Sequence, residues 1–177
     1  MFEAEDDKMD SRSKDEDGAV EAGPTATAWA VLYGSQTGNT ALVAEATARH
    51  LRQAGIDAAV VNGAEAVVAD LAGLDRLLLL TSSHGNGELP DNLIALHDAI
   101  GRERPDLSQL AFMVFAIGDT TYAETFCFAG ATMDRALAAA GARRIAPMAE
   151  IDVSVHIFAE EPVMEWLDGW LAESRER

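Results

Sequence analysis

"AVLYGSQTGNTALVAEA", residues 30–46, joins an apolar run to a helix-like pattern through a turn that contains no lysine or arginine. The apolar run ends at Tyr33, and Ser35, Gln36, Thr37, Gly38, Asn39 and Thr40 follow Gly34 before alanine and leucine set up the helix. A strand that feeds a helix in this way leaves the first backbone N–H groups without intrahelical partners. It also puts the positive end of the helix dipole at the turn, worth ~0.3–1 kcal/mol per anionic charge at an exposed site. The hydroxyls of Ser35, Thr37 and Thr40 and the amides of Gln36 and Asn39 can complete a shell around a phosphate without any cation. The same residue types also serve as ordinary N-caps, and taken alone the turn leaves both readings open. It is neither a Walker A loop, for want of the lysine, nor the G-x-G-x-x-G dinucleotide fingerprint.

Strand-like and helix-like segments alternate on either side of this turn. The spacing predicts strands at Trp29 to Tyr33, Ile56 to Val61, Arg76 to Thr81, Ala111 to Ile117 and Ile145 to Ile151, with Pro147 marking the last as an edge. Helices are predicted from Gly38 to Ala54, over the alanine-rich stretch Ala64 to Leu71, and from Pro90 along Leu93, His97 and Ile100. A fourth helix carries Met133, Leu137 and Ala140, and a fifth carries Val163, Trp166, Leu167, Trp170 and Leu171. Five strands alternating with five helices predict a doubly wound α/β fold, a parallel sheet with helices on both faces. Ligands of such sheets sit beyond the C-terminal strand ends, so the loops after the first, third and fourth strands carry the functional signal.

The second loop, "TSSHGNGELPDN", offers Ser82, Ser83, His84 as a stacking ring, and Gly85 and Gly87 on either side of Asn86 for close approach of a flat ligand. The third, "AIGDTTYAETFCFAG", offers Gly118, Asp119 as an acceptor for ring N–H groups, Thr120, Thr121 and Tyr122 as a cover, with Phe126 and Cys127 behind. Each loop alone is also explained by turn formation and core packing. Together they point to one ligand: flat and heteroaromatic, with a phosphate on a tether.

The 177 residues suffice for one well-cored domain. A formal net charge of −17 repels phosphate backbones and anionic lipid, which argues against nucleic acid and membrane as partners. The single cysteine excludes an intrachain disulfide and a thiolate metal cage, and no metal site is expected. No run is long enough to span a membrane and the N-terminus lacks signal-peptide character, so a cytoplasmic location is expected. Residues 1–26 hold nine acidic side chains against Lys8, Arg12 and Lys14, and read as a disordered acidic tail preceding a domain over residues 27–177. Both lysines of the chain lie in that tail. A phosphoryl-accepting receiver domain, which needs a lysine after the fifth strand, is thereby set aside.

These motifs resemble the flavodoxin family, and its short single-domain, MioC-like members most closely, over roughly residues 28–172. The family's phosphate loop S/T-x-T-G-N-T reads Ser35-Gln36-Thr37-Gly38-Asn39-Thr40, and its second and third loops resemble "SSHGNGELPDN" and "GDTTYAETFC". The resemblance implies a flavodoxin-like fold with strand order 2-1-3-4-5. It also implies FMN as cofactor, with Ser35 to Thr40 cradling its phosphate, residues 82–87 and 118–122 enclosing its ring, and Phe126 and Cys127 adjoining. By position, the Gly85 carbonyl is the group that the family turns toward flavin N5 on one-electron reduction. A cation-free, acidic surrounding offers an anionic reduced flavin little compensation, which favours passing the electron on. Three departures stand out: His84 where many members have Trp or Tyr, Asn86 where many have an acid, and one extra residue between Tyr122 and Phe126. The implied function is an FMN-dependent electron carrier between a basic-faced flavoprotein reductase and an electron-accepting enzyme, with a monomer expected. The alternatives are an FMN-dependent NAD(P)H:quinone or flavin reductase, and a flavin-free interaction module on the same fold.

Overall fold

The computed structural model describes residues 29–156 and 158–175. The acidic tail predicted for residues 1–26 lies outside them. Strand β1 (Trp29–Gly34) pairs in parallel with β2 (Ala58–Asn62) on one side and β3 (Arg76–Ser82) on the other. Next to β3 lies β4 (Ala111–Gly118), buried at all of its residues, and the outermost position holds β5 (Arg143–Arg144) and β6 (Ala149–Asp152). The sheet order is β2-β1-β3-β4-β5, with β6 also on β4, which is the winding 2-1-3-4-5.

Alternation along the strands divides the core in two. Val31, Leu78, Leu80, Met113 and Phe115 meet α1 (Asn39–Gln53) and α5 (Glu160–Arg175) through Val43, Leu51, Val163 and Leu167. Leu32, Leu77, Leu79, Phe112 and Val114 point the other way. They meet α2 (Val68–Ala72), α3 (Asp91–Glu103) and α4 (Phe128–Ala139) through Leu71, Leu93, Leu96, Met133 and Leu137. A strand buried on both faces needs apolar residues at every position, and the four leucines of β3 meet that need.

Three elements differ from expectation. The fifth strand is not continuous from Ile145 to Ile151: it is split into β5 and β6, both of which pair with β4. Pro147 has no N–H to donate, so the ladder lapses around it after Ile145 N–H has donated to the Phe112 carbonyl (2.9 Å). The stretch Ala64 to Leu71 yields helix only from Val68. Asn62 Oδ1 accepts the Ala64 N–H (3.1 Å) and the Asn62 carbonyl accepts the Glu65 N–H (2.9 Å), a local turn that competes with helix. On α3 the inner position falls to Leu96 rather than His97, which is only half-buried and lies against Asp98 (3.2 Å).

Candidate functional site

The carboxyl ends of β1, β3 and β4 open into a cleft of about 710 Å³. That is within the ~300–1,000 Å³ usual for small-molecule sites. One end of it is the mouth of α1. Gly38 caps the helix with φ +89°, a left-handed conformation that glycine adopts at little cost, and its N–H donates to Ser35 Oγ (2.9 Å). The backbone N–H groups of Thr37, Asn39 and Thr40 find no acceptor among the described residues. This leaves a set of uncharged donors at the positive end of a helix dipole, the chemistry a phosphate requires.

The turn is held from below. Ser35 N–H donates to Asn92 Oδ1 (3.0 Å), and Asn92 Nδ2 donates to Asn62 Oδ1 (2.9 Å) and the Tyr33 carbonyl (3.4 Å). Gln36 and Asp91 exchange two hydrogen bonds, Gln36 Nε2 donating to Asp91 Oδ2 (3.0 Å) and Asp91 N–H donating to Gln36 Oε1 (3.1 Å). Thr40 Oγ1 donates to Ser82 Oγ (3.3 Å), tying the first loop to the second.

The second loop is a tight antiparallel turn. His84 N–H donates to the Glu88 carbonyl (3.1 Å) and Glu88 N–H to the His84 carbonyl (2.8 Å). Gly85 has φ +52°, and Asn86 N–H donates to Glu88 Oε2 (2.8 Å). Ser82, Ser83, His84 and Gly85 line the cleft. Asn86 is exposed beyond it, and Gly87 is buried against Phe128 and Thr125.

In the third loop Gly118, Asp119, Tyr122 and Phe126 line the cleft, with Tyr122 66% exposed at its lip. Thr120 and Thr121 are turned to carboxylates instead. Thr121 N–H donates to Asp119 Oδ1 (2.8 Å) and Thr120 Oγ1 to Asp152 Oδ2 (2.6 Å). The hydrogen bond from the Thr120 hydroxyl first, and that from the Ser154 N–H (2.9 Å) after it, hold the Asp152 carboxyl down at about 2. Cys127 faces the core, 1% exposed, with its Sγ donating to the Ala116 carbonyl (3.1 Å). Burial, and then the Glu150 charge, push its thiol up to about 12, so it stays protonated at neutral pH.

The wall opposite was missed from sequence: Leu42 on α1, Thr125, and Val153, Phe158, Ala159 and Glu160 from the segment after β6. The apolar side chains Val153, Val155 and Phe158, of which Val155 and Phe158 are exposed and belong to no strand among the described residues, are the signal that could have found it. Among the described residues, Asp119 and Glu160 are the charged side chains lining the cleft, and no lysine or arginine lines it. No cluster of side chains able to hold a metal ion occurs among the described residues.

The family model for flavodoxin matches residues 31–166. The chain belongs to the flavodoxin family. FMN is the cofactor of this family, and the neutral donors at α1 joined to an apolar-walled cleft fit a phosphate-bearing flavin. The sulfite reductase [NADPH] flavoprotein alpha-component of Bacillus subtilis (strain 168) is 39% identical over 142 residues, which is 80% of this chain and 23% of that relative. The chain thus spans about a quarter of the sulfite reductase relatives it matches. Protein MioC of Escherichia coli (strain K12) is 33% identical over 141 residues, 80% of this chain and 94% of MioC. Among solved structures, a cysteine-to-alanine mutant of flavodoxin from Pseudomonas aeruginosa superposes with a TM-score of 0.74 at 31% identity, covering 82% of this chain and 97% of that one.

Proposed function

We propose that this flavodoxin is a monomeric, cytoplasmic electron carrier that takes electrons from a basic-faced flavoprotein reductase and delivers them to an acceptor enzyme. The observation that carries the reading is the continuity of the uncharged cradle at α1 with a cleft whose lip is open to solvent at Tyr122. When bound, FMN supplies the redox chemistry, and the chain's residues set its pose and surroundings. Ser35, Thr37, Asn39 and Thr40 would hold the phosphate through hydroxyl, amide and backbone N–H donors. His84 and Tyr122 would flank the ring, while Ile117, Phe126, Val153 and Phe158 exclude water from its buried edge. Asp119 and Glu160 keep the local charge negative, which disfavours further negative charge in the site. The similarity to sulfite reductase flavoproteins supports an electron-accepting reductase as the downstream partner.

Titration of the purified chain with FMN tests this. One equivalent should bind with loss of flavin fluorescence, and NADPH should reduce the yellow complex only after a flavoprotein reductase is added. Direct oxidation of NADPH by the isolated complex would make the chain a flavin-dependent reductase. No uptake of FMN would leave an interaction module on this fold.

A further inference from the structure

At the end of the sheet opposite the cleft, the amino ends of β1, β3 and β5 surround a second groove, of about 510 Å³. Its walls are aromatic and basic. Trp29 and Trp170 meet edge to face with ring centroids 5.6 Å apart, and Trp170 Nε1 donates to the Ile145 carbonyl (3.3 Å). The Arg76 guanidinium lies 5.6 Å from the centre of the Trp29 ring, and Arg143 stands exposed at the rim. Among the described residues neither arginine forms an ion pair and no acidic side chain lines the groove. Two cations with no ion-pair partner among the described residues, beside paired indoles, form a site of opposite sign to a chain of net charge −17.

We propose that the acidic N-terminal segment of this same chain docks in this groove, setting carboxylates from Asp15, Glu16, Asp17 and Glu21 against Arg76 and Arg143. Two features of the chain select this occupant. The segment enters the domain at Trp29, which is itself a wall of the groove, so the tether is short and the local concentration of carboxylate is on the order of millimolar. Residues 1–26 hold nine acidic against three basic side chains, while residues 27–177 are themselves net negative and repel them elsewhere. The groove is where repulsion turns to attraction, and the aliphatic wall of Ile56 and Ile145 accepts apolar residues of the segment such as Val20.

Lys8 and Lys14 are the only lysines of the chain, so a lysine-specific endoprotease cuts nowhere else. In the full chain at low salt, cutting at both should run several-fold slower than in a synthetic peptide of residues 1–26, and about 0.5 M salt should remove most of the protection. Arg143→Glu should remove it at low salt, and Asp15→Arg with Glu16→Arg in that background should restore it. The milder Arg143→Gln should fall between, and far-UV circular dichroism checks that each variant folds. Cutting at the free-peptide rate, or protection indifferent to Arg143→Glu, overturns the proposal. Protection that grows with protein concentration would assign the groove to the segment of a second copy and overturn it equally.

Discussion

Gly38 and Gly87 both hold positive φ, at +89° and +91°, yet a methyl group added at each meets different surroundings. At Gly38 nothing lies within 4 Å, so Gly38→Ala should cost only the left-handed backbone penalty, about 1–2 kcal/mol. At Gly87 the new carbon would sit 2.9 Å from Phe128 Cβ and 3.0 Å from Thr125 Cβ. Gly87→Ala must move the second loop or the start of α4 as well, and should cost about 2–4 kcal/mol. Urea denaturation of the two variants should rank them in that order. Thr37 differs again, since it is exposed and no described residue hydrogen-bonds to it. Thr37→Val should leave stability unchanged and weaken FMN binding about tenfold or more, the worth of one hydrogen bond to a charged group. Riboflavin, which has no phosphate, should bind the wild type and Thr37→Val alike.

At the scale of elements, the third loop is clasped to the end of β6 by Asp152, which accepts from Thr120 Oγ1 (2.6 Å), Thr120 N–H (3.2 Å) and Ser154 N–H (2.9 Å). Its carboxyl is depressed from 3.8 to about 2, so the folded state prefers it ionised. The stability it contributes is present above pH 3.8 and is lost as pH falls through about 2. Acid titration followed by hydrogen exchange should show residues 119–122 opening in that window, with Asp152→Asn open already at neutral pH. Much of this architecture was legible in the sequence because each strand carries its own apolar signal and each binding loop its own glycines and hydroxyls. What escaped depends on contacts between segments distant in the chain. The split around Pro147 is decided by the Phe112 carbonyl across the sheet, and the shortening of α2 by the Asn62 side chain. The far wall of the cleft escaped because Val153 and Phe158 follow a strand whose loop does not flank the switch in winding, and their pattern reads equally as edge-strand continuation.

For the whole molecule, a formal charge of −17 with no lysine after residue 14 would make the proposed encounter with a basic-faced reductase an electrostatic event. The second-order rate of electron uptake should fall by about tenfold or more between ~20 mM and ~500 mM salt, where the screening length shrinks from roughly 20 Å to a few ångströms. FMN affinity should change far less, because the donors proposed for its phosphate are uncharged. Asn92 carries a last consequence. Its side chain joins β1, the end of β2 and the first turn of α3 beneath Ser35, across 57 positions of sequence. The candidate phosphate cradle is therefore complete only where the central strands and α3 are packed together. Capture of the coenzyme is thus expected to be a late act in maturation, sealing a finished scaffold rather than templating it, and the chain freed of FMN should already show its full far-UV circular dichroism.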